Sequence, residues 1–497
     1  MSEGTWVGID LGNTRVKVLA VGRGGRVVGA SARATSGARV SWRTGGGMEI
    51  RRALSAERLW RLVEACLADL AAQGVEPQQS SVAVAGMGGP VVVLGADGKA
   101  LLPVIGGMMR GLSPDDDGPG QAMDGSWYRE TGYRPEQSAL PGLRALARLE
   151  QERFARAAAV VSVEGYIAYR LCGEMAWERS VASATGGWNH DAEKWHDGFW
   201  EGAGLESASR EPVLDGGRAL GEVATGAFRG AAVMVGGHDY LCAELALGIR
   251  ENSAMLDMLG TFEVTSVPLI DPWPREPVGG EVVDAATGCG RRTLMVELLV
   301  GPQLAWIEQT LGLSGDERLA EVRREMGRLS SDDLDDLVYL PFMYGEPVPR
   351  WRPGRRASFV GLRSDHSAAH MYRAVLAGLA CHGELALRHL ETVVGGHREA
   401  TVVAGGGTRD AYWLQLKADV GQRRLMVPRT ADSTALGAAA LAAGGVAARE
   451  WLDELRRALL SATTVVEPRP GCGTVLARYQ EVVGERGDAL RAAAATS

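Results

Sequence analysis

The stretch 232–266, AVMVGGHDYLCAELALGIRENSAMLDMLGTFEVTS, brackets one carboxylate between glycine turns. An apolar run, Ala232 to Val235, reads as a buried strand that breaks at Gly236-Gly237. Asp239 then opens an apolar-periodic helix carried by Leu241, Leu245, Leu247 and Ile249. A carboxylate at the mouth of a strand-to-helix turn can face a cleft, although on local sequence the plainer reading of Asp239 is a helix N-cap. A second strand follows and turns at Gly260-Thr261. Near the start of the chain, Asp10-Leu11-Gly12-Asn13-Thr14 closes another strand, with Lys17 just beyond. The exposed N–H groups of such a turn, the Thr14 hydroxyl and the Lys17 ammonium would suit phosphate oxygens. An ordinary hairpin corner would use the same residues.

The elements that must position these groups alternate in type. Thr5 to Leu11, Val16 to Val21 and Arg26 to Ala32 read as a three-stranded meander with a turn at Gly22 to Gly25. Ala56 to Ala72 is an amphipathic helix, and Ser81 to Ala85 a strand ending in Gly86-Met87-Gly88-Gly89. Ser180 to Trp200 is rich in Ser, Thr and Trp without a clear period and reads as a cleft-facing loop region. Further on, strands at Glu281 to Asp284 and Thr293 to Val300 precede helices, and Ser367 to Val394 is one long helix. Thr401 to Ala404 is a strand running into Gly405-Gly406-Gly407, and Asp410 to Val420 and Thr434 to Ala443 are helices. Two polar-amphipathic helices, 448–461 and 473–494, finish the chain and could pack on the body or form a homodimer surface.

Asp10-Leu-Gly-Asn-Thr near the start and Asp257-Met-Leu-Gly260-Thr261 near the midpoint each open a strand-rich stretch that gives way to alternating helices and strands. Such half-chain periodicity predicts two related α/β domains facing each other, with the two glycine turns as a clamp for a polyphosphate.

At 497 residues the chain suits two or three domains. It is 46% hydrophobic and 23% charged with a net charge of -8 and no basic block, which does not suggest a nucleic-acid partner. The six Cys lack any C-x-x-C pair and read as reduced, mostly buried thiols of a cytoplasmic protein. No signal peptide and no uncharged apolar run of about 18 residues is seen, so no membrane partner is expected. Lys occurs only at 17, 99, 194 and 417. Lys417 reads as part of a solvated helix face.

From about residue 5 to 446 the chain resembles the FGGY carbohydrate kinases of the actin/hexokinase/Hsp70-like ATPase superfamily. Asp10 to Lys17 looks like the first phosphate loop, Gly237-His238-Asp239 the family's G-x-D segment, and Leu259-Gly260-Thr261 the second phosphate loop. Leu340-Pro341 to Gly345-Glu346 and Gly405 to Asp419, followed by Ala435 to Ala439, look like its later signatures. The resemblance implies two RNase-H-like domains, 1–250 and 251–497, with ATP and Mg²⁺ in the cleft. It implies Asp239 as general base toward a small-molecule alcohol and Asp10 as the residue that holds Mg²⁺, through water, since Mg²⁺ keeps several waters. Gly12, Asn13, Thr14, Lys17, Gly260 and Thr261 would hold the phosphates; Gly405, Gly406, Gly407 and Asp410 would meet the nucleoside.

The departures concern the acceptor. Many family members carry G-Q-M-H-G where this chain has Gly86-Met87-Gly88-Gly89-Pro90, and W-x-D-x-R where it has Gly106-Gly-Met108-Met-Arg110. A sugar pocket pairs each hydroxyl with a polar group, since an unpaired buried one costs about 1–3 kcal/mol. Loss of those groups predicts a bulkier or less hydroxylated acceptor, bound near Gly88, Gly89, Arg110, His238 and Asp239. Trp188, Asn189, His190 and Glu263 are candidates for replacement contacts. The competing reading is a nucleotide-binding sensor or pseudokinase that kept the ATP cleft and lost its acceptor.

Overall fold

The computed structural model of the chain describes residues 4–106, 126–210, 212–249, 254–270, 272–287, 291–313, 316–329, 337–398, 400–430, 432–470 and 474–494. Alternating Val and Ile in the first residues build an antiparallel meander of β1 (Thr5–Leu11), β2 (Arg15–Val21) and β3 (Val27–Ala34). β4 (Ser80–Gly86) adds in parallel on the other side of β1; β5 (Ala219–Glu222) and β6 (Ala232–Met234) complete that edge. The short β7 (Gly237–His238) pairs with Ala85 and Gly86 at the C-terminal end of β4.

The second sheet repeats this plan. β8 (Ala254–Leu259), β9 (Phe262–Leu269), β10 (Val282–Ala285) and β11 (Arg292–Leu299) pair antiparallel, and β12 (Ala400–Ala404) and β13 (Leu425–Val427) run parallel beyond β8, edged by β14 (Thr464–Val466). The order β3-β2-β1-β4-β6 of the first sheet matches β11-β9-β8-β12-β13 of the second, strand direction included. The half-chain periodicity is therefore a repeated sheet topology.

Helices cover the sheets where their apolar stripes dictate. α1 (Ala56–Ala72), capped by Ser55 Oγ accepting from Arg58 N at 3.3 Å, buries Leu59, Val63, Cys66, Leu67 and Leu70 with Val7, Ile9, Val16 and Val18. α2 (Val163–Cys172) joins the same core. α3 (Arg179–Ala184) and α4 (Asp239–Leu247) follow. α4 touches both halves: Cys242, Leu245 and Ala246 pack on Leu19, Val21, Ala83 and Ala85, while its Glu244 accepts from Ser266 Oγ of β9 at 2.6 Å and Thr293 Oγ1 of β11 at 3.1 Å.

In the second half, α5 (Ala368–Val393) and α6 (Ala411–Gly421) bury Val375, Leu379, Leu390, Leu414 and Leu416 against the second sheet. α7 (Ser433–Ala442) returns to the first sheet, its alanines sharing a core with Ala83 and Ala85. The small residues permit this approach: a Cβ at Gly437 would overlap the carbonyl of Cys242. Both terminal helices pack on the body. Trp451 packs tilted against Trp6 with centroids 5.0 Å apart, and Tyr479, Val482 and Val483 enter the second core.

The 180–200 segment departs from the sequence reading. It holds α3, the strand pair Trp188–Asn189 and Lys194–Trp195, and a short helix Phe199–Gly202. Trp177, Trp188, Trp195, Phe199 and Trp200 form a buried aromatic core, with Trp177 and Trp195 edge-to-face at 5.0 Å. Its elements are too short to show a period, and the hydrophobic content is aromatic. The hairpin Arg39–Arg43 with Glu49–Leu54 was also invisible, its strands being mostly Arg, Glu and Ser.

Candidate active site

Asp239 is the first residue of α4, and His238 occupies the cap position. Asp239 is therefore not the N-cap. Its Oδ1 accepts from Tyr240 N at 2.6 Å, and its side chain stays 36% exposed. Desolvation and the charge of Asp10 push its carboxyl up to about 7, with Glu297 of β11 adding to the effect. Charges at the ends of both sheets thus act on this one group.

Asp10 is the penultimate residue of β1 and is buried; burial pushes it up to about 6, opposed by Lys17 and reinforced by Asp432. Lys17 Nζ lies 3.0 Å from Asp432 Oδ1 and 3.9 Å from Asp10 Oδ2. Sequence reasoning missed Asp432; its signal was an acid directly before the Ala-rich α7. The first turn is pinned from outside: Thr35 Oγ1 donates to the Gly12 carbonyl at 2.7 Å, Thr35 N donates to the Thr14 carbonyl at 2.9 Å, and Arg39 donates to the Asn13 side chain. Thr14 itself remains exposed.

The second turn leaves Gly260 exposed and Thr261 half-buried. Gly260 N donates to the Phe262 carbonyl, and Gly301 N donates to that of Thr261. Gly405 has φ +91°, and a Cβ there would lie 2.6 Å from the Leu259 carbonyl, so the 405–407 turn rests directly on the limb of β8 that leads to Gly260. Asp410 caps α6, accepting from Trp413 N at 3.1 Å, and lies 3.0 Å from an Arg323 nitrogen. Its carboxylate is thus engaged within the protein.

Asp10 and Asp257 are not equivalent. Asp257 stands one residue further from its glycine, and in a strand that single step turns a side chain to the opposite face. Asp257 is fully buried, 3.0 Å from Lys417 Nζ, which also donates to Glu263 Oε1 at 2.8 Å. Lys417 is therefore a buried ion-pair partner, not part of a solvated face. Glu263 is consumed in the same cluster and cannot contact an acceptor.

The other proposed replacement contacts are scaffold. Trp188 belongs to the aromatic core. Asn189 donates to Glu130 at 2.6 Å and accepts from Asp191 N and Ala192 N. His190 Nε2 lies 3.1 Å from the Val283 carbonyl, and burial lowers the ring to about 4. Gly88 and Gly89 do lie beside His238 and Ala184. Arg110 lies outside the described residues. Buried acids that the sequence hid in apolar windows surround this region: Glu164 at about 8, Glu178 at about 7 and Asp284 at about 6, each raised by burial.

Two α/β domains of repeated topology, carrying glycine turns around acids, have the two-domain actin-like ATPase fold. Solved structures of the same fold include gluconate kinase from Lactobacillus acidophilus (TM-score 0.80, 19% identity, covering 97% of this chain and 98% of that one). Glycerol kinase from Plasmodium falciparum with ADP gives 0.78 at 14% identity over 97% and 98%. The model of the FGGY family N-terminal domain matches residues 5–246, and that of the C-terminal domain residues 298–446. The chain belongs to the FGGY family of carbohydrate kinases. Among curated relatives, the autoinducer-2 kinase of Salmonella paratyphi B is 27% identical over 365 residues, 69% of this chain and 67% of that protein. That of Yersinia pestis is 26% identical over 349 residues, covering 66% and 64%. Among the described residues no helix is long and apolar enough to cross a membrane.

Proposed function

We propose that this carbohydrate kinase transfers a phosphoryl group from ATP to a hydroxyl of a sugar, polyol or related small molecule, with Asp239 as general base. The observation that carries this reading is the position of Asp239: at a helix start, part-exposed, with its carboxyl pushed up to about 7. An alcohol is a poor nucleophile at neutral pH, and a carboxylate of that basicity can take its proton as the bond to phosphorus forms. The remaining work is positioning and charge neutralisation. Gly12, Asn13, Thr14, Lys17, Gly260 and Thr261 are the proposed phosphate contacts, with Gly405 to Gly407 at the nucleoside and Asp410 supporting that turn from its cap position. The proposed domain boundary near 250 puts Asp239 at the end of the first domain.

Asp10 fits a Mg²⁺ site. Burial raises its carboxyl and the Asp432 charge adds to that; its hard oxygen donors suit Mg²⁺, whose charge would offset both effects. Among the described residues no three metal-binding side chains form a protein cage, which accords with a Mg²⁺ held by a carboxylate, waters and phosphate oxygens. Bound there, Mg²⁺ would neutralise charge on the polyphosphate.

The acceptor pocket, without the family's Gln, His, Trp and Asp, favours a bulkier or less hydroxylated compound than a pentulose or glycerol. Autoinducer-2 kinases stand among the relatives, which makes autoinducer-2 one acceptor to test. The test is ADP release with ATP and Mg²⁺ against autoinducer-2, ketoses, polyols, cyclitols and aminosugars. Asp239→Asn should lower kcat by about 10²–10⁴-fold with the KM for ATP little changed. An ATPase independent of acceptor and insensitive to Asp239→Asn would overturn the assignment; ATP binding without turnover on any compound would favour the sensor.

A further inference from the structure

The residue before the base is unusual in its setting. His238 is 7% exposed, and its imidazole fills the space that a side chain at Gly88 would need. A Cβ at Gly88 would overlap His238 Cε1 and Nε2 and lie 2.7 Å from the Cβ of Ala184. The ring packs edge-on to Tyr240 with centroids 4.7 Å apart. Its backbone N donates to Ser180 Oγ at 3.2 Å. Nε2 lies 3.4 Å from Asp239 Oδ1, and Nδ1 lies 3.8 Å from Asp284 Oδ2. Asp284 is itself fixed by Tyr133, Tyr240 and Ser183 at 2.8, 2.9 and 3.1 Å.

We propose that His238 is a positioning residue that orients the Asp239 carboxylate, and that Gly88 is glycine to admit its ring. This rests on the reading of Asp239 as the base. A neutral imidazole has one N–H to give, and the nearer acceptor is Asp239 Oδ1. Burial lowers His238 to about 3, so the ring is neutral at working pH and can donate without adding a charge beside the base. The two atoms lie 3.4 Å apart without a hydrogen bond between them; a small rotation of the carboxyl would make that bond, holding one Asp239 oxygen, which also accepts from Tyr240 N, and leaving Oδ2 for the acceptor hydroxyl. The ring simultaneously forms the pocket wall against the Gly88-Gly89 turn. The absence of the Met that family members carry at 88 is thus accounted for sterically: a side chain at 88 and the imidazole of 238 cannot coexist.

A double-mutant cycle tests this, using Gly88→Ala, His238→Ala and their combination, with Tm and ADP release as readouts. The acceptors are autoinducer-2, D-xylulose, gluconate and glycerol. Gly88→Ala alone should lower both Tm and kcat, because the methyl displaces the ring. In the His238→Ala background the same change should lower Tm much less, only the 2.7 Å approach to Ala184 Cβ remaining, and should cost nothing further in kcat, so the effects are strongly non-additive. His238→Ala should lower kcat about 10–100-fold, the scale of a misplaced catalytic group, with the KM for ATP unchanged. His238→Gln, which keeps an N–H donor, should recover much of that loss; a role confined to packing would show no such recovery. Additive effects in Tm and kcat would overturn the interlock. Equal kcat in His238→Ala and the wild-type protein would overturn the positioning role. Asp239→Asn run in parallel separates the two readings: if it retains full kcat, the base assignment fails and the positioning role with it. If it collapses while the cycle is additive, only the interlock fails. No turnover of any of the four acceptors would remove support for the positioning role, and the Tm cycle would still decide the interlock.

Discussion

Replacing Lys417 by Met probes the ion cluster behind the second phosphate turn. Lys417 Nζ lies 3.0 Å from Asp257 Oδ2 and 2.8 Å from Glu263 Oε1, and all three side chains are buried. Asp257 and Glu263 lie on the two limbs of the hairpin that carries Gly260-Thr261, so one ammonium ties both limbs together. Met matches the length of the lysine stem, so the change removes charge without opening a large cavity. Breaking a buried pair from one side costs about 3–5 kcal/mol. The lower figure applies at pH 7, because Glu263, already raised to about 7 by burial, can take up a proton. A cation at that distance acts with about 6 kcal/mol at an effective dielectric near 20, or about 4 pH units. Its loss would therefore raise Glu263 further still. Between pH 7 and 9 the native variant then holds one proton that the native parent has released. Stability of the variant falls relative to the parent by about 1.4 kcal/mol per pH unit across that window. The penalty should grow from about 3 kcal/mol at pH 7 to about 6 kcal/mol at pH 9. Urea unfolding followed by circular dichroism at both pH values measures it. An equal penalty at the two pH values, or no penalty at all, would refute the argument.

Glu164 lies against Gly86, and burial raises it to about 8. Its folded value exceeds the unfolded one, so the parent loses stability as pH rises from about 4.5 to 8. The amide of Glu164→Gln does not titrate; its advantage should grow by about 1.4 kcal/mol per pH unit over that range and level off above it, and a pH-independent difference in Tm would contradict this. Gly437→Ala should lower Tm by several degrees through a clash of about 1–3 kcal/mol or more with the Cys242 backbone, and an unchanged Tm would show that α4 and α7 can separate. The pH profile of acceptor turnover should fall on the acid side of about 7, tenfold per unit, if Asp239 is the base; a profile flat down to pH 5 would count against it.

The sequence by itself determined the repeated elements and the turns. Helix 56–72 and strand Thr5–Leu11 were legible to the residue because their apolar periods are long and uninterrupted. The glycine turns were legible because few other residues suit such bends. Short elements escaped, as in 180–200, where a period has no length in which to show itself. Tertiary structure alone decided which acids meet a base and which meet solvent. Asp10 and Asp257 differ by one residue of register, which sends one to a part-polar site beside Lys17 and the other into the core against Lys417. Linear sequence could not set His238 beside Gly88, or Asp432 beside Lys17, since parallel strand pairing and the return of α7 to the first sheet bring them together across long stretches of chain. Whether a charge is buried or paired is a property of that assembled surface, because desolvation depends on every element that packs around the group.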